Sequence, residues 1–185
     1  SHSDLVPGSG DFTIECFLYP QGFGNYPVIV DSRTSSGDTL GFFLGFNTNG
    51  QLYLYTHTGE RNAVILTKGR WYHIALVRQS NVFKLYVNGV KDTAASQTSG
   101  NILSISANAR WSIGMEYDTN SPSDFVKGSA KQMMIWDKPL TEDEINKYNL
   151  IKYLDAAKGI QFKTGSLNSI DPDSKDLINQ FKDID

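Results

Sequence analysis

Short runs of apolar, β-branched and aromatic residues follow one another from Asp11 to about Trp136, separated by clusters of Gly, Asn, Ser and Asp. This pattern is typical of an all-β sandwich or barrel, because each short run supplies one strand and each polar cluster one turn. The predicted strands are Phe12 to Tyr19, Val28 to Asp31, Gly41 to Phe46, Gln51 to His57, Ala63 to Leu66, Trp71 to Arg78, Phe83 to Asn88, Trp111 to Gly114 and Ser129 to Trp136.

Two details of the pattern support the strand prediction. In residues 51–57, Leu and Thr alternate with Tyr and His, so the two sets are expected on opposite faces of a sheet. The dipeptide Asn88-Gly89 favours the two positive φ angles of a type I′ hairpin, and Asn47-Thr48-Asn49-Gly50 separates two further runs.

The pattern changes after Trp136 to that of a helix start. Thr141 and Glu144 have the spacing of a capping box, and Leu140 and Ile145 that of a hydrophobic staple. The acidic residues 142–144 also suit the positive end of the helix dipole, so their predicted role is structural. We predict one sandwich domain over residues 1–150 and a helical or extended appendage over residues 151–185, with a second short helix near Asp171-Pro172.

Composition and charge narrow the function. Seventeen Lys and Arg against 20 Asp and Glu give a net charge of −3, which argues against nucleic-acid binding. No apolar run is long enough to insert into a membrane. The single cysteine, Cys16, falls within an apolar alternation and is predicted to be a small core residue. His57, His73 and the three tryptophans Trp71, Trp111 and Trp136 are likewise interpreted as strand or core residues.

Three blocks in order resemble the laminin-G-like branch of the concanavalin A-like lectin and glucanase superfamily. They are Gly10 to Glu15, Gly69 to Arg78 and Phe83 to Gly89, followed by Trp111 to Gly114, Gly128 to Trp136 and Pro139 to Ile145. The resemblance covers about residues 4 to 149 and implies an antiparallel jelly-roll β-sandwich with a short terminal helix. The stretch from Gly24 to Leu44 is most similar to versions in bacteriophage virion proteins and secreted adhesins, which implies a virion or extracellular location.

The resemblance implies a non-catalytic module that recognises a carbohydrate or a host surface. A glycoside hydrolase needs two facing carboxylates about 5 to 9 Å apart, and glucanases of the superfamily carry them on one strand as Glu-x-Asp-x-x-Glu. No strand of this sequence has that spacing. The alternative is a structural virion component, such as a capsid decoration, knob or tail-fibre domain, that binds no glycan; a glycoside hydrolase is a third reading with less support.

Two polar loops supply the candidate site residues. The predicted ligand-binding residues are Tyr26, Asp31, Arg33, Asp38, Tyr117 and Asn120, and the predicted metal ligands are Glu116, Asp118 and Asp124. Such oxygen-rich loops suit Ca²⁺, the candidate cofactor, although ordinary turns have the same composition. Lys131 and Gln132 stand where many relatives have an acidic residue, which weakens the calcium prediction.

The final strand also bears on assembly. Relatives usually have a strand that precedes the position of Ser1 and pairs near the last one, so Ser129 to Trp136 is expected to lie at a sheet edge. Residues 159–184 are predicted to become ordered by packing on the same sandwich or on another copy of the chain, so virion proteins and a homo-oligomer are candidate partners.

Overall fold

The computed structural model describes residues 7–35, 37–56, 59–98, 111–117 and 121–147. Their strands are β1 (Phe12–Gly22), β2 (Val28–Asp31), β3 (Phe42–Phe46), β4 (Gln51–Thr56), β5 (Gly59–Ile65), β6 (Tyr72–Gln79), β7 (Val82–Val87), β8 (Val90–Thr98), β9 (Ser112–Ile113) and β10 (Lys127–Trp136). One helical turn covers residues 142–147. None of the described helical structure is long and apolar enough to cross a membrane.

The strands form two antiparallel five-stranded sheets. Sheet I has the order β10-β1-β6-β7-β8, and sheet II has the order β5-β4-β3-β2-β9. This arrangement confirms the predicted jelly-roll sandwich. Nine of the ten strands correspond to predicted runs, whereas β8 was missed because Val90–Thr98 is mostly polar and small.

The core lies between the two sheets. Alternate residues of several strands point into it, among them Phe12 and Ile14 of β1, Leu44 of β3 and Leu54 of β4. Cys16 belongs to this core, as predicted. The predicted alternation in β4 is also confirmed, since Leu52, Leu54 and Thr56 are buried in the core while Tyr53 and Tyr55 face outward. His57 lies outside the described residues.

One predicted turn and the predicted helix cap both form at the residues expected from the sequence. Asn88 and Gly89 have φ angles of 51° and 80°, so they form the predicted tight turn and lead into β8. The backbone N–H of Thr141 donates to Glu144 Oε2 at 2.8 Å, and the N–H of Glu144 donates to Thr141 Oγ1 at 3.2 Å. The capping box is therefore confirmed.

The segment after β10 covers part of the outer face of sheet I. Leu140 and Ile145 are both buried there, which agrees with the predicted staple, and they share a second apolar cluster with Ala75, Val77 and Tyr86. β10 lies at the edge of sheet I among the described strands, as expected for Ser129 to Trp136. Residues 151–185, and with them the predicted appendage and its packing, lie outside the described residues.

Candidate functional site

The two polar loops singled out in the sequence meet at one edge of sheet II. Strand β2 pairs with β9 so that Asp31 lies opposite Ser112 and Val30 opposite Ile113. Because the two strands are antiparallel, the chain leaves them at opposite ends, but it turns tightly after β9, where the Ser112 hydroxyl donates to the Met115 carbonyl at 2.8 Å. Glu116 thereby comes into contact with Arg33. Glu116 is further fixed by a β-bridge with Ser123, whose two backbone hydrogen bonds are 2.9 and 3.0 Å long.

A buried ion network joins these loops. Arg33 donates through its backbone N–H and Nε to Asp31 Oδ1 and through Nη2 to Asp31 Oδ2, at 2.9, 3.0 and 3.0 Å. Nη2 also pairs with the Glu116 carboxylate. Burial by itself lowers the pKa of Arg33, but its hydrogen bonds and charge interactions with Asp31 and Glu116 outweigh this effect, so the pKa is raised. The guanidinium thus remains charged and firmly held.

Aromatic rings surround the guanidinium on the outer face of sheet II. The Arg33 Cζ atom lies 4.4 Å from the centroid of the Phe43 ring and 5.6 Å from that of Tyr55. The Phe43 and Tyr55 rings are themselves stacked, with centroids 5.2 Å apart and an interplanar angle of 14°. A cation over a ring face is favourable and fixes the orientation of both groups. A side chain at Gly41 would place its Cβ 2.8 Å from Arg33 Cα, so this close packing requires glycine.

Two further tyrosines extend this surface. Tyr26 is 44% exposed and has a φ of 52°, an unusual conformation for a residue with a large side chain. Its ring packs edge-on against Tyr53 at 5.7 Å. Burial, followed by a hydrogen bond to Glu60, raises the pKa of the Tyr53 hydroxyl, so the phenol stays protonated. We call the set Tyr26, Arg33, Phe43, Tyr53, Tyr55 and Glu116 the Arg33 face.

Asp38 organises the loop after β2. Its Oδ2 accepts hydrogen bonds from the Thr34 N–H and hydroxyl at 2.7 and 2.9 Å, and its Oδ1 accepts from the Leu40 N–H at 2.8 Å. Partial burial opposes ionisation, but these hydrogen bonds outweigh it and lower the pKa of Asp38. The carboxylate that was predicted to bind a ligand is therefore bound to its own loop.

The predicted ligand-binding residues divide into three groups. Tyr26 is exposed and Tyr117 half-buried, so both lie within reach of the surface. Asp31 and Arg33 are only 1% and 5% exposed, so they support the Arg33 face from below, and ligand binding by them stays a prediction. Asn120 lies outside the described residues.

The two predicted metal ligands that the structure describes, Glu116 and Asp124, are not grouped with other ligands around a metal centre. Glu116 contacts the Arg33 guanidinium, whose positive charge opposes a nearby cation, and the Asp124 carboxylate lies 3.4 Å from the Ser123 hydroxyl. Within the described ranges no three His, Cys, Asp or Glu side chains are grouped as metal ligands. These residues do not fit a Ca²⁺ site centred on Glu116; Asp118 lies outside the described residues, and calcium binding through it stays a prediction.

Three aromatic members of the Arg33 face were missed as site residues. Phe43, Tyr53 and Tyr55 lie on the outward-facing positions of adjacent strands, with Phe43 directly opposite Tyr55. The alternation in β4 already put the two tyrosines on one face, but the sequence does not show that Arg33 lies over this face. These residues could have been found in the sequence because large aromatic rings occupy strand positions that face away from the main core, where polar residues are usual.

The interpretations of His73, Trp111 and Trp136 hold, whereas that of Trp71 does not. His73 is buried on β6, and its Nε2 lies 3.0 Å from Glu15 Oε2. Glu15 Oε1 in turn accepts a 2.9 Å hydrogen bond from Trp136 Nε1, and Trp136 packs on the second apolar cluster, as Trp111 does on the main core. Trp71 is half-buried and belongs to neither cluster, so its prediction as a core residue was wrong.

Comparison with known proteins defines the class. Residues 1–146 match the Laminin_G_3 family of the concanavalin A-like lectin/glucanases superfamily, and the chain belongs to this family. None of the curated proteins matches the sequence significantly.

Solved structures share the fold at low sequence identity. A proposed carbohydrate binding protein from Bacteroides ovatus superposes with a TM-score of 0.63 at 20% identity, over 77% of this chain and 42% of its own. The carbohydrate-binding module CBM40 of a Ruminococcus gnavus IT-sialidase, bound to α2,3-sialyllactose, gives 0.64 at 15% identity, over 77% and 84%. A Trypanosoma rangeli sialidase gives 0.65 at 16% identity, over 79% and 23%. This chain thus spans less than half of the Bacteroides protein and less than a quarter of the Trypanosoma sialidase.

Proposed function

We propose that this protein is a non-catalytic carbohydrate recognition module and that the Arg33 face binds the glycan. The observation that carries the proposal is a pair of accessible tyrosine rings, the 44% exposed Tyr26 and the half-buried Tyr55, which pack on the buried rings of Phe43 and Tyr53 beside a buried ion network. Binding sites of this kind combine apolar ring surface with a few oriented polar groups. Tyrosines suit the task because a sugar's C–H groups pack on the ring while the phenol forms a hydrogen bond.

Rigidity supports the same proposal. Arg33 is held by Asp31, by Glu116 and by the rings of Phe43 and Tyr55. Ligand binding therefore costs little conformational entropy at this surface. The presence of carbohydrate-binding proteins among the structures with this fold is consistent with glycan recognition but shows the fold alone.

The ion network also favours binding over hydrolysis. A glycosidase requires one carboxyl group that donates a proton and a second that acts as base or nucleophile. Both oxygens of Asp31 accept hydrogen bonds from Arg33, and Glu116 contacts the same guanidinium. Neither group is therefore set up as the proton donor.

A glycan array probed with the protein in Ca²⁺ and in EDTA tests the proposal. Tyr26→Ala and Tyr55→Ala are expected to reduce the affinity for any glycan bound by at least about tenfold, since each removes ring surface from the ligand. Val90→Ala, at a 71% exposed position at the start of β8, is a control expected to leave binding unchanged.

Three outcomes separate the hypotheses. If the wild type binds no glycan in either buffer, glycan recognition is wrong. If binding persists in both tyrosine variants, the site lies elsewhere. If binding is lost in EDTA, the Glu116→Ala/Asp118→Ala double variant tests the calcium prediction, and unchanged affinity in that variant rejects it.

A structural role in a virion is the second candidate, and one observation favours it. Among the described strands, β10 has a neighbour only on the β1 side, which leaves its other edge open to strand addition by another protein. On both hypotheses we place the module on a virion or other extracellular particle, from the sequence resemblance. Stable association with capsid or tail proteins, without glycan affinity, would favour this candidate.

A further inference from the structure

A second surface of unusual composition lies on sheet I. It is formed where β1, the loop between β5 and β6, and the start of β10 come together. Tyr19 pairs with Ser129 across the β1–β10 ladder, and the Gly69 N–H donates to the Pro20 carbonyl at 2.9 Å. We call the six residues Tyr19, Lys68, Arg70, Trp71, Lys127 and Lys131 the Trp71 corner.

The Trp71 corner is basic although the chain is acidic overall. All four of its cationic residues are exposed. Residues 17–24, 66–72 and 126–133, which build the corner, contain no Asp or Glu, whereas the whole chain has a net charge of −3. A local excess of one charge sign raises the concentration of oppositely charged ligands at the surface.

Aromatic rings position two of these cations. The Lys131 ammonium lies 4.7 Å from the centroid of the Trp71 ring, and the Tyr19 ring is tilted against Trp71 at 5.3 Å. The Lys68 ammonium lies 5.7 Å from the Phe23 ring. Such contacts limit the motion of a lysine without neutralising its charge.

Three acidic residues of the two sheets are held in contacts with other groups. Glu15, two residues before Phe17 on β1, is buried and bonded to His73 and Trp136. On sheet II, Asp31 and Glu116 are paired with Arg33. The Trp71 corner thus combines four exposed cations with the half-buried rings of Tyr19 and Trp71.

We propose that the Trp71 corner binds an anionic polysaccharide, independently of the Arg33 face. The four cations recognise sulfate or carboxylate groups along the polymer, and Tyr19 and Trp71 contact the pyranose rings between them. A nucleic acid fits less well, because four cations neutralise few phosphates on a chain of net negative charge. The Lys131 ammonium over Trp71 also competes with base stacking on that ring.

The test measures the affinity of the full chain for heparin, alginate, neutral dextran and single-stranded polydeoxythymidine at several salt concentrations. The wild-type protein is expected to bind heparin or alginate with an affinity that falls as the salt concentration increases. It is expected not to bind dextran. A heparin preference assigns the corner to sulfate groups, and an alginate preference to carboxylates.

Two matched variants localise the binding. Lys68→Gln/Lys131→Gln is expected to lower the affinity by tenfold or more and to reduce the salt dependence. Lys91→Gln/Lys147→Gln removes the same charge elsewhere and is expected to have little effect. Trp71→Ala tests the ring contact and is expected to weaken polysaccharide binding at high salt, where the charge contribution is screened.

The proposal is overturned if neither polysaccharide binds, if both double variants weaken binding equally, or if polydeoxythymidine binds more tightly than either polysaccharide. Tyr26→Ala is expected to retain heparin or alginate binding, so failure of the Arg33 face and failure of the Trp71 corner give different results.

Discussion

The Asp31–Arg33 pair provides the sharpest test of how the site is built. Asp31→Ala removes three hydrogen bonds to Arg33 and leaves its buried guanidinium with Glu116 as the remaining described carboxylate partner. Breaking a buried ion pair from one side costs about 3–5 kcal/mol. Because the Glu116 carboxylate still offsets part of the Arg33 charge, we expect Asp31→Ala to lower the free energy of unfolding by about 3 kcal/mol, the lower end of this range.

Urea unfolding followed by tryptophan fluorescence measures this loss. With a slope of about 2 kcal/mol per M, the midpoint is expected to fall by about 1.5 M. Arg33→Met alone is also expected to destabilise the protein, since it removes the guanidinium that pairs with the carboxylates of Asp31 and Glu116. The Asp31→Ala/Arg33→Met double variant is expected to be less destabilised than the sum of the single variants, with a coupling of about 1–3 kcal/mol.

Asp38→Ala is the matched control. It removes an acid from the same loop, but one that is only partly buried and bonded to backbone groups, so about 1 kcal/mol is expected. If Asp31→Ala costs less than Asp38→Ala, or if the double variant shows no coupling, the ion pair does not organise the Arg33 face and the argument is wrong.

Four further predictions concern stability, each measured by urea unfolding. Thr141→Ala is expected to cost about 1 kcal/mol, and Thr141→Ser to restore most of it, because the hydroxyl caps the helix. Hydrogen bonds lower the pKa of Glu144 to about 2. The carboxylate therefore stabilises the folded state at pH values above its ordinary pKa of 4.5, and this stabilisation is lost as the pH falls from about 4.5 to about 2. Glu144→Gln should remove this pH dependence of stability. Glu15→Leu is expected to cost about 3 kcal/mol because it leaves buried polar ring nitrogens without their acceptor, and Glu15→Gln less. Gly41→Ala should destabilise the protein by about 1–3 kcal/mol through overlap with Arg33, and an unchanged midpoint would show that the loop moves away freely.

The sequence determined the features that depend on neighbouring residues. Alternation in β4, the Asn88-Gly89 turn and the Thr141–Glu144 capping box were all predicted, because each requires only residues a few positions apart. Their geometry follows from local backbone sterics and hydrogen bonding, which hold in any fold that contains them. The missed strand β8 shows where prediction from neighbouring residues fails. Val90–Thr98 becomes a strand by pairing with β7 and not through its own composition.

Only the tertiary structure decided what the candidate site is. The sequence presented residues 31–38 and 116–124 as two separate polar loops. The structure joins them through one contact between described residues, that of Arg33 with the Glu116 carboxylate 83 positions away, next to the pairing of β2 with β9. The same long-range packing buries Asp31 and Arg33, and it leaves Trp71 half-buried beside Lys131. Charge, polarity and aromatic character are properties of single residues, whereas burial and ion pairing depend on which distant strands the fold brings together.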